Sequence, residues 1–142
     1  MSYIYEYPRP MVTVDALVFA GNTSDKHVLL IRRGNEPFKG LWALPGGFVE
    51  MDETLDNAVA RELTEETGLK LSGFKQLHTF GNPGRDPRGR NITIVFYVSI
   101  PEVVSVAGGD DADEAKWFSI HQLPKLAFDH NKVIEMGRQH IE

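Results

Sequence analysis

Cysteine is absent from this chain of 142 residues. There is accordingly no disulfide framework and no thiolate to hold a soft metal. No apolar run is long enough to cross a bilayer. The first ten residues, MSYIYEYPRP, lack the basic-then-apolar order of a secretory signal, so a cytoplasmic protein with no membrane partner is expected. Basic charge is short as well. Fifteen Lys and Arg stand against 20 Asp and Glu, a formal net charge of -5, which argues against broad electrostatic binding of nucleic acid. A small phosphorylated ligand remains compatible, because bound cations or local arginines can reverse the sign inside a cleft. Repeats, low-complexity tracts and linkers are also missing, so residues 1–142 are expected to form a single domain. With 42% hydrophobic residues, that domain can bury one real core.

Taken in order, the chain opens on an arm bearing Tyr3, Tyr5, Tyr7, Pro8 and Pro10. Exposed tyrosines suit an interface, and an arm folded over its own domain is the equal alternative. Met11–Ala20 is β-rich and apolar and reads as a buried strand; His27–Arg33 returns after a turn over residues 21–25, making a hairpin. Asn35–Gly40 is a loop and Leu41–Leu44 a short strand, with Trp42 assigned to core or scaffold. Leu71–Phe80 and Asn91–Ile100 are further strands, the second apolar on both sides and so expected in the sheet centre. Between them a Gly/Pro loop carries Arg85, Arg88 and Arg90, and with Arg32 and Arg33 these are candidates to meet phosphate oxygens; solvated surface is the competing reading. An acidic loop over residues 107–114 precedes a short strand, Ala115–Ile120. His121–Leu126 reads as a turn or short helix. Asp129 is placed to cap a final helix, His130–His140, with Val133, Ile134 and Met136 inward. His130 could face a cleft, but a lone histidine at a helix start is more often structural. Strands, helix, strands, helix make an α+β fold, an α/β/α sandwich with a mixed sheet between helices.

The densest chemistry lies between Gly46 and Leu69, GGFVEMDETLDNAVARELTEETGL. Thr54 can cap a helix, Asp56 suits its first turn, and Gly68 suits the left-handed position after its end. Leu55, Val59 and Leu63 recur every four residues as an apolar stripe. Glu62, Glu65 and Glu66 stand at i, i+3 and i+4 and would share another face, with Arg61 four residues before Glu65. That face is either solvated and softened by Arg61 and Lys70, or a site for a hard cation, Mg2+ or Mn2+, which oxygen-rich, thiol-free clusters suit.

Gly47, five residues, Glu53, seven residues, then Arg61-Glu62-Leu63-Thr64-Glu65-Glu66-Thr67-Gly68-Leu69 resembles the Nudix box, GX5EX7REUXEEXGU with U apolar, at every specified position. The resemblance implies the same sandwich, and hydrolysis of a nucleoside diphosphate linked to another group. By resemblance Glu62, Glu65 and Glu66 face the metal, Glu53 is a further ligand or orienting acid, the Gly46 carbonyl is an additional ligand, and Arg61 orients the carboxylates. Glu62 is the first candidate for general base; Asp111 and Glu114 are the distal-loop candidates. The run Arg85–Arg90 and the segment Leu126–His130 look like the ADP-ribose pyrophosphatase group, and also like the Nudix domains of NAD-linked transcriptional regulators. The expected reaction is Mg2+-dependent cleavage of ADP-ribose to AMP and ribose 5-phosphate. A nucleoside triphosphate pyrophosphohydrolase acting on oxidised nucleotides or dihydroneopterin triphosphate, and a non-catalytic sensor of ADP-ribose or a sugar nucleotide, are the alternatives. A homodimer is compatible with the resemblance.

Overall fold

The structure is a computed structural model and describes residues 2–22 and 24–141. Thr23, inside the expected turn, lies outside the described residues, as do Met1 and Glu142. The elements run β1 (Met11–Ala20), β2 (His27–Arg33), β3 (Trp42–Ala43), β4 (Gly46–Phe48), α1 (Leu55–Thr67), β5 (Lys75–Phe80), β6 (Asn91–Ile100), β7 (Ala112–Ser119) and α2 (His130–Ile141). One mixed sheet has the order β3-β2-β1-β6-β5, with β4 also pairing β1 and β7 pairing β2. β1 and β6 are parallel in register from Met11–Asn91 to Ala20–Ile100; the other pairings are antiparallel. β6 therefore lies inside the sheet, between β1 and β5, as its two-sided hydrophobicity demands.

Side chains alternate across β1, and this alternation sorts the core into two layers. Val14, Ala16 and Val18 pack with Ala58, Val59 and Leu63 of α1. Leu17 and Phe19 pack with Val133 and Ile134 of α2. The two helices thus cover opposite faces of the sheet. Each fully buried Val or Leu in these layers stabilises the fold by about 1.5–3 kcal/mol.

α1 begins and ends where the sequence says it should. Thr54 accepts a hydrogen bond from the Asn57 amide, and Gly68, at φ 75°, donates its N–H to the Thr64 carbonyl. Leu55 leaves the expected apolar stripe: it is exposed, and the buried face runs from Ala58 to Thr67 and includes Glu62 and Glu66. Three boundaries differ from expectation. Residues 71–74 precede the strand rather than begin it, and only Trp42–Ala43 of Leu41–Leu44 is extended. Pairing with β2 extends β7 back to Ala112, into the acidic stretch. Residues 121–126 turn without forming a helix. Asp129 does not spend its carboxylate on α2; both oxygens accept from Arg85. Trp42 is part of the scaffold, packed edge-on against Phe118 with ring centroids 4.8 Å apart. The arm leaves Tyr3, Ile4, Tyr5 and Tyr7 exposed.

Candidate active site

Three elements meet around a cavity of about 400 Å³. The Pro-Gly-Gly turn brings β4 back alongside β1, and α1 lies across β4. A side chain at Gly47 would have no room: a Cβ there would stand 2.6 Å from the carboxylate atoms of Glu62. The missing Cβ is therefore what lets the Glu62 head lie against the turn.

Arg61 organises the acids. Its guanidinium donates to both oxygens of Glu53 (2.9 and 2.6 Å), to Glu62 Oε1 (2.9 Å), to Glu65 Oε2 (3.1 Å) and to the Phe48 carbonyl (3.1 Å). The hydrogen bonds with Glu53 are the largest influence raising its basicity, and the same contact holds the Glu53 carboxyl below its usual range. Glu62 and Glu66 differ from Glu53. Burial pushes the Glu62 carboxyl up against the pull of Arg61. Burial pushes Glu66 up to about 8, the Gly46 N–H opposes that rise, and the Glu62, Asp15 and Asp111 carboxylates add to it. The Gly46 N–H donates to Glu66 Oε1 at 2.7 Å.

These two glutamates fit a hard divalent cation. They are oxygen donors, they are buried, and one oxygen of each is tied to Arg61 or Gly46, so the second is open for coordination. A cation would also offset the electrostatic cost of two buried, neighbouring carboxylates. Among the described residues no three His, Asp or Glu side chains already stand as a ligand set.

Another part of the lining is basic and aromatic. Arg33, Arg88, Phe48 and Phe128 line it. The Arg88 guanidinium carbon is 5.3 Å from the Phe48 ring centre and 5.8 Å from that of Phe128, and Arg33 is 5.0 Å from Phe128. Burial and then the charge of Arg88 make Arg33 less basic than usual, countered by Glu66, Asp86 and Asp111. Arg88 is braced by Asp86 at 2.8 Å. Phe128 holds a left-handed backbone, φ 53°, fixed on both sides. The Ala127 N–H donates to the Trp42 carbonyl at 2.8 Å, and Asp129 grips Arg85.

The candidate residues separate cleanly. Gly46, Arg61, Glu62, Glu66, Arg33, Arg85, Arg88 and Asp111 all line this cavity. Glu65 does not line the cavity: its carboxylate shares Arg61 Nη1 with Glu62 and borders a shallow groove beside Lys70. Glu53 stands behind Arg61. Arg32, next to Arg33 on the strand, is absent from the cavity wall, as side-chain alternation requires. Arg90 is turned to the Gly81 carbonyl. Glu114 is an exposed strand residue opposite Arg32. Arg85 is 4% exposed at its side chain, with its guanidinium engaged by Asp129.

Sequence reasoning passed over Asp15, Asn91 and Phe48, which line the cavity; Phe128 and Asp110, which line it too, entered only as parts of the segment Leu126–His130 and of the acidic loop. It set His130 aside as structural, and His130 lines the cavity too. A lone aspartate inside the apolar run Met11–Ala20 was a readable signal for Asp15. His130 is buried, its Nδ1 accepts from the Leu44 N–H at 3.0 Å, and burial lowers its pKa against the pull of Asp15 and Asp129.

A NUDIX domain model matches residues 9–136. The chain belongs to the Nudix family. It is 49% identical to an ADP-ribose pyrophosphatase of Methanocaldococcus jannaschii over 91% of this chain and 73% of that protein. It is 36% identical to the ADPR responsive transcriptional repressor NtrR of Acinetobacter baylyi, over 93% of this chain and 54% of that one. The Nudix domain of Shewanella oneidensis NrtR, solved with ADP ribose, superposes with a TM-score of 0.89 at 34% identity, covering 96% of this chain and 91% of that one. With this Nudix fold and a Nudix box intact at every specified position, the chain is a Nudix pyrophosphatase, a hydrolase of phosphoric anhydrides. No helix among the described residues is long and apolar enough to cross a membrane.

Proposed function

We propose that this protein hydrolyses ADP-ribose to AMP and ribose 5-phosphate, with Mg2+ or Mn2+ held by Glu62 and Glu66 and the Gly46 carbonyl. The observation that carries the reading is the mixed lining of the cavity. Buried carboxylates share it with Arg33 and Arg88, which lie against Phe48 and Phe128. Hydrolysis of a diphosphate needs a water aimed at phosphorus and compensation for charge growing on the phosphoryl oxygens. Arg33 and Arg88 supply fixed positive charge for those oxygens. A divalent cation, when bound, supplies Lewis acidity and a more acidic water. Arg61 holds Glu62 in place; with the second oxygen of Glu62 given to the cation, Asp111, which lines the same cavity, takes the proton from the attacking water, and Glu62 takes it only where that oxygen is left free of the cation. The likeness to an ADP-ribose pyrophosphatase supports the substrate class.

The likeness to an ADPR responsive transcriptional repressor, and to a Nudix domain solved with ADP ribose, favours a second reading, a sensor that binds ADP-ribose without turning it over. Product analysis with Mg2+ separates the two. The panel is ADP-ribose, a sugar nucleotide, a dinucleoside polyphosphate, and oxidised and plain deoxynucleoside triphosphates. AMP released from ADP-ribose well above the rest is expected. Pyrophosphate released chiefly from a triphosphate overturns the reading. Tight ADP-ribose binding without turnover leaves the sensor.

A further inference from the structure

His130 does more than line the cavity, because of how the chain runs into α2. The segment around Leu126 lies parallel to Trp42, like the first step of another strand. The Trp42 N–H donates to the Lys125 carbonyl at 3.3 Å, and the Ala127 N–H donates to the Trp42 carbonyl at 2.8 Å. A parallel ladder would next give the Ala127 carbonyl to the Leu44 N–H. That carbonyl is already taken. The chain turns at Phe128, φ 53°, and the His130 N–H donates to it at 3.2 Å. The Leu44 N–H donates instead to His130 Nδ1 at 3.0 Å. His130 thus removes one acceptor with its backbone and returns another with its side chain. Leu44 and His130 are both buried, so water does not readily replace this bond. Leaving the Leu44 donor unpaired would cost about 1–3 kcal/mol.

That bond fixes the turn leading into β4. The Pro45 carbonyl accepts from the Ala16 N–H at 2.7 Å, and the Gly46 N–H donates to Glu66 Oε1 at 2.7 Å. β1 and β4 are antiparallel, with Val14 opposite Gly47 and Asp15 opposite Gly46. Ala16 bonds to Pro45, and the Val49 N–H bonds to the Val12 carbonyl. Bonded positions alternate along such a ladder, so 45, 47 and 49 face β1 and Gly46 falls between them. The N–H and the carbonyl of Gly46 therefore both point away from β1, towards the side of Glu66. The turn has no slack towards β1, because a Cβ on Gly46 would collide with Asp15 Oδ1 and the Val14 carbonyl oxygen. Two of the three groups proposed for the cation, the Gly46 carbonyl and Glu66, thus depend on where this turn sits.

We propose that His130 is a positioning residue of the cation site. By accepting the Leu44 N–H it holds the turn where the Gly46 carbonyl and the Gly46-bound Glu66 face the cation. The role rests on the reading of Glu62, Glu66 and the Gly46 carbonyl as the cation's ligands, and it adds a residue from the other helix. The imidazole acts here as the ring protonated on Nε2, because the Nδ1 lone pair is given to Leu44. His130 also follows directly on Phe128 and on Asp129, which both oxygens tie to Arg85. One side chain therefore links the turn that serves the cation to the segment that carries the aromatic lining. Losing a group that orients a metal ligand from behind lowers metal affinity by about 10–100-fold.

The test compares His130→Leu with His130→Asn. The two side chains are close in size, and only Asn carries an oxygen near the position of Nδ1 to accept from the Leu44 N–H. Mn2+ binding is read without substrate, from the electron paramagnetic resonance signal of free Mn2+, and Tm is read in EDTA. Both variants remove the ring from the core, so both should lower Tm. His130→Leu is expected to weaken Mn2+ binding by about tenfold or more, and His130→Asn to stay close to the wild type. The Mg2+ concentration giving half the maximal rate on ADP-ribose should rise in step with the Mn2+ Kd. Affinity for Mn2+ that falls equally in both variants, or in neither, means that the ring is only structural and overturns the proposal. Should His130→Leu not fold, His130→Gln takes its place, since its oxygen lies one carbon farther out. It is expected to bind Mn2+ more weakly than His130→Asn, and equal affinities overturn the proposal. A wild type that binds no Mn2+ overturns the cation reading and this role together. The expected Mn2+ pattern without turnover of ADP-ribose supports the positioning role and removes the hydrolytic reading.

Discussion

Glu65 and Glu66 are adjacent in the chain and lie in different surroundings. Glu66 is buried, tied to the Gly46 N–H and raised to about 8, whereas Glu65 is exposed and reaches only Arg61. From sequence the two looked interchangeable, both three or four residues from Glu62. The helix turns 100° per residue, and that one step carries Glu65 off the cavity wall. Glu66→Gln is therefore expected to lower kcat by roughly a hundredfold or more, because it removes a charge from the cation's site. It should also abolish the rise in Tm that millimolar Mg2+ gives the wild type. Glu65→Gln should do much less on both measures. Equal losses in the two variants would place Glu65 at the metal after all.

At the scale of elements, the site depends on how loops are tied rather than on what they contain. The arginine-rich loop before β6 offers three guanidinium candidates for phosphate, with a solvated surface as the alternative. Each arginine instead has a different fate: Arg88 faces the cavity, Arg90 caps a carbonyl, and Arg85 is buried in a two-pronged pair with Asp129. The pair joins that loop to the segment carrying Phe128 and His130 and so holds two walls of the cavity together. Arg85→Ala leaves the Asp129 carboxylate partly buried without its partner. It is expected to cost about 3–5 kcal/mol in urea unfolding, with KM for the diphosphate substrate rising as well. Arg90→Ala, at the loop surface, should change stability by less than about 0.5 kcal/mol. A small effect of Arg85→Ala on unfolding would mean that the pair is not a tie.

At the scale of the whole molecule, acid stability should follow the two arginine-held aspartates. Burial alone would raise the Asp86 and Asp129 carboxyls. Hydrogen bonds and charge from Arg88 and Arg85 outweigh it and hold both below their ordinary value of 3.8. A carboxyl depressed in the folded state favours folding above its unfolded pKa, and that contribution is lost as pH falls through the folded value. The wild type is expected to lose Tm as pH drops below about 4, the ordinary range for unfolded aspartate. Asp129→Asn should start less stable at pH 7 and lose less over that interval. Parallel Tm curves for the two proteins would remove Asp129 from the acid transition.

Much of this was legible in the chain because it is local. The alternating and continuous apolar runs specified the strands, Thr54 and Gly68 bounded α1, and the spacing from Gly47 to Leu69 specified the acid-bearing helix. The order of strands was not legible, because parallel pairing of β1 with β6 joins residues about eighty positions apart and leaves no local trace. The same distance hid Asp15, Asn91 and His130, which mean little singly and share a cavity only when that pairing and the packing of α2 bring them together. The sequence alone determined the family chemistry, since a helix places its own carboxylates through its own periodicity. Tertiary structure decided which arginines reach the cavity, which glutamates line it, and which distant polar residues join them there, because burial and partnership are properties of the assembled sheet.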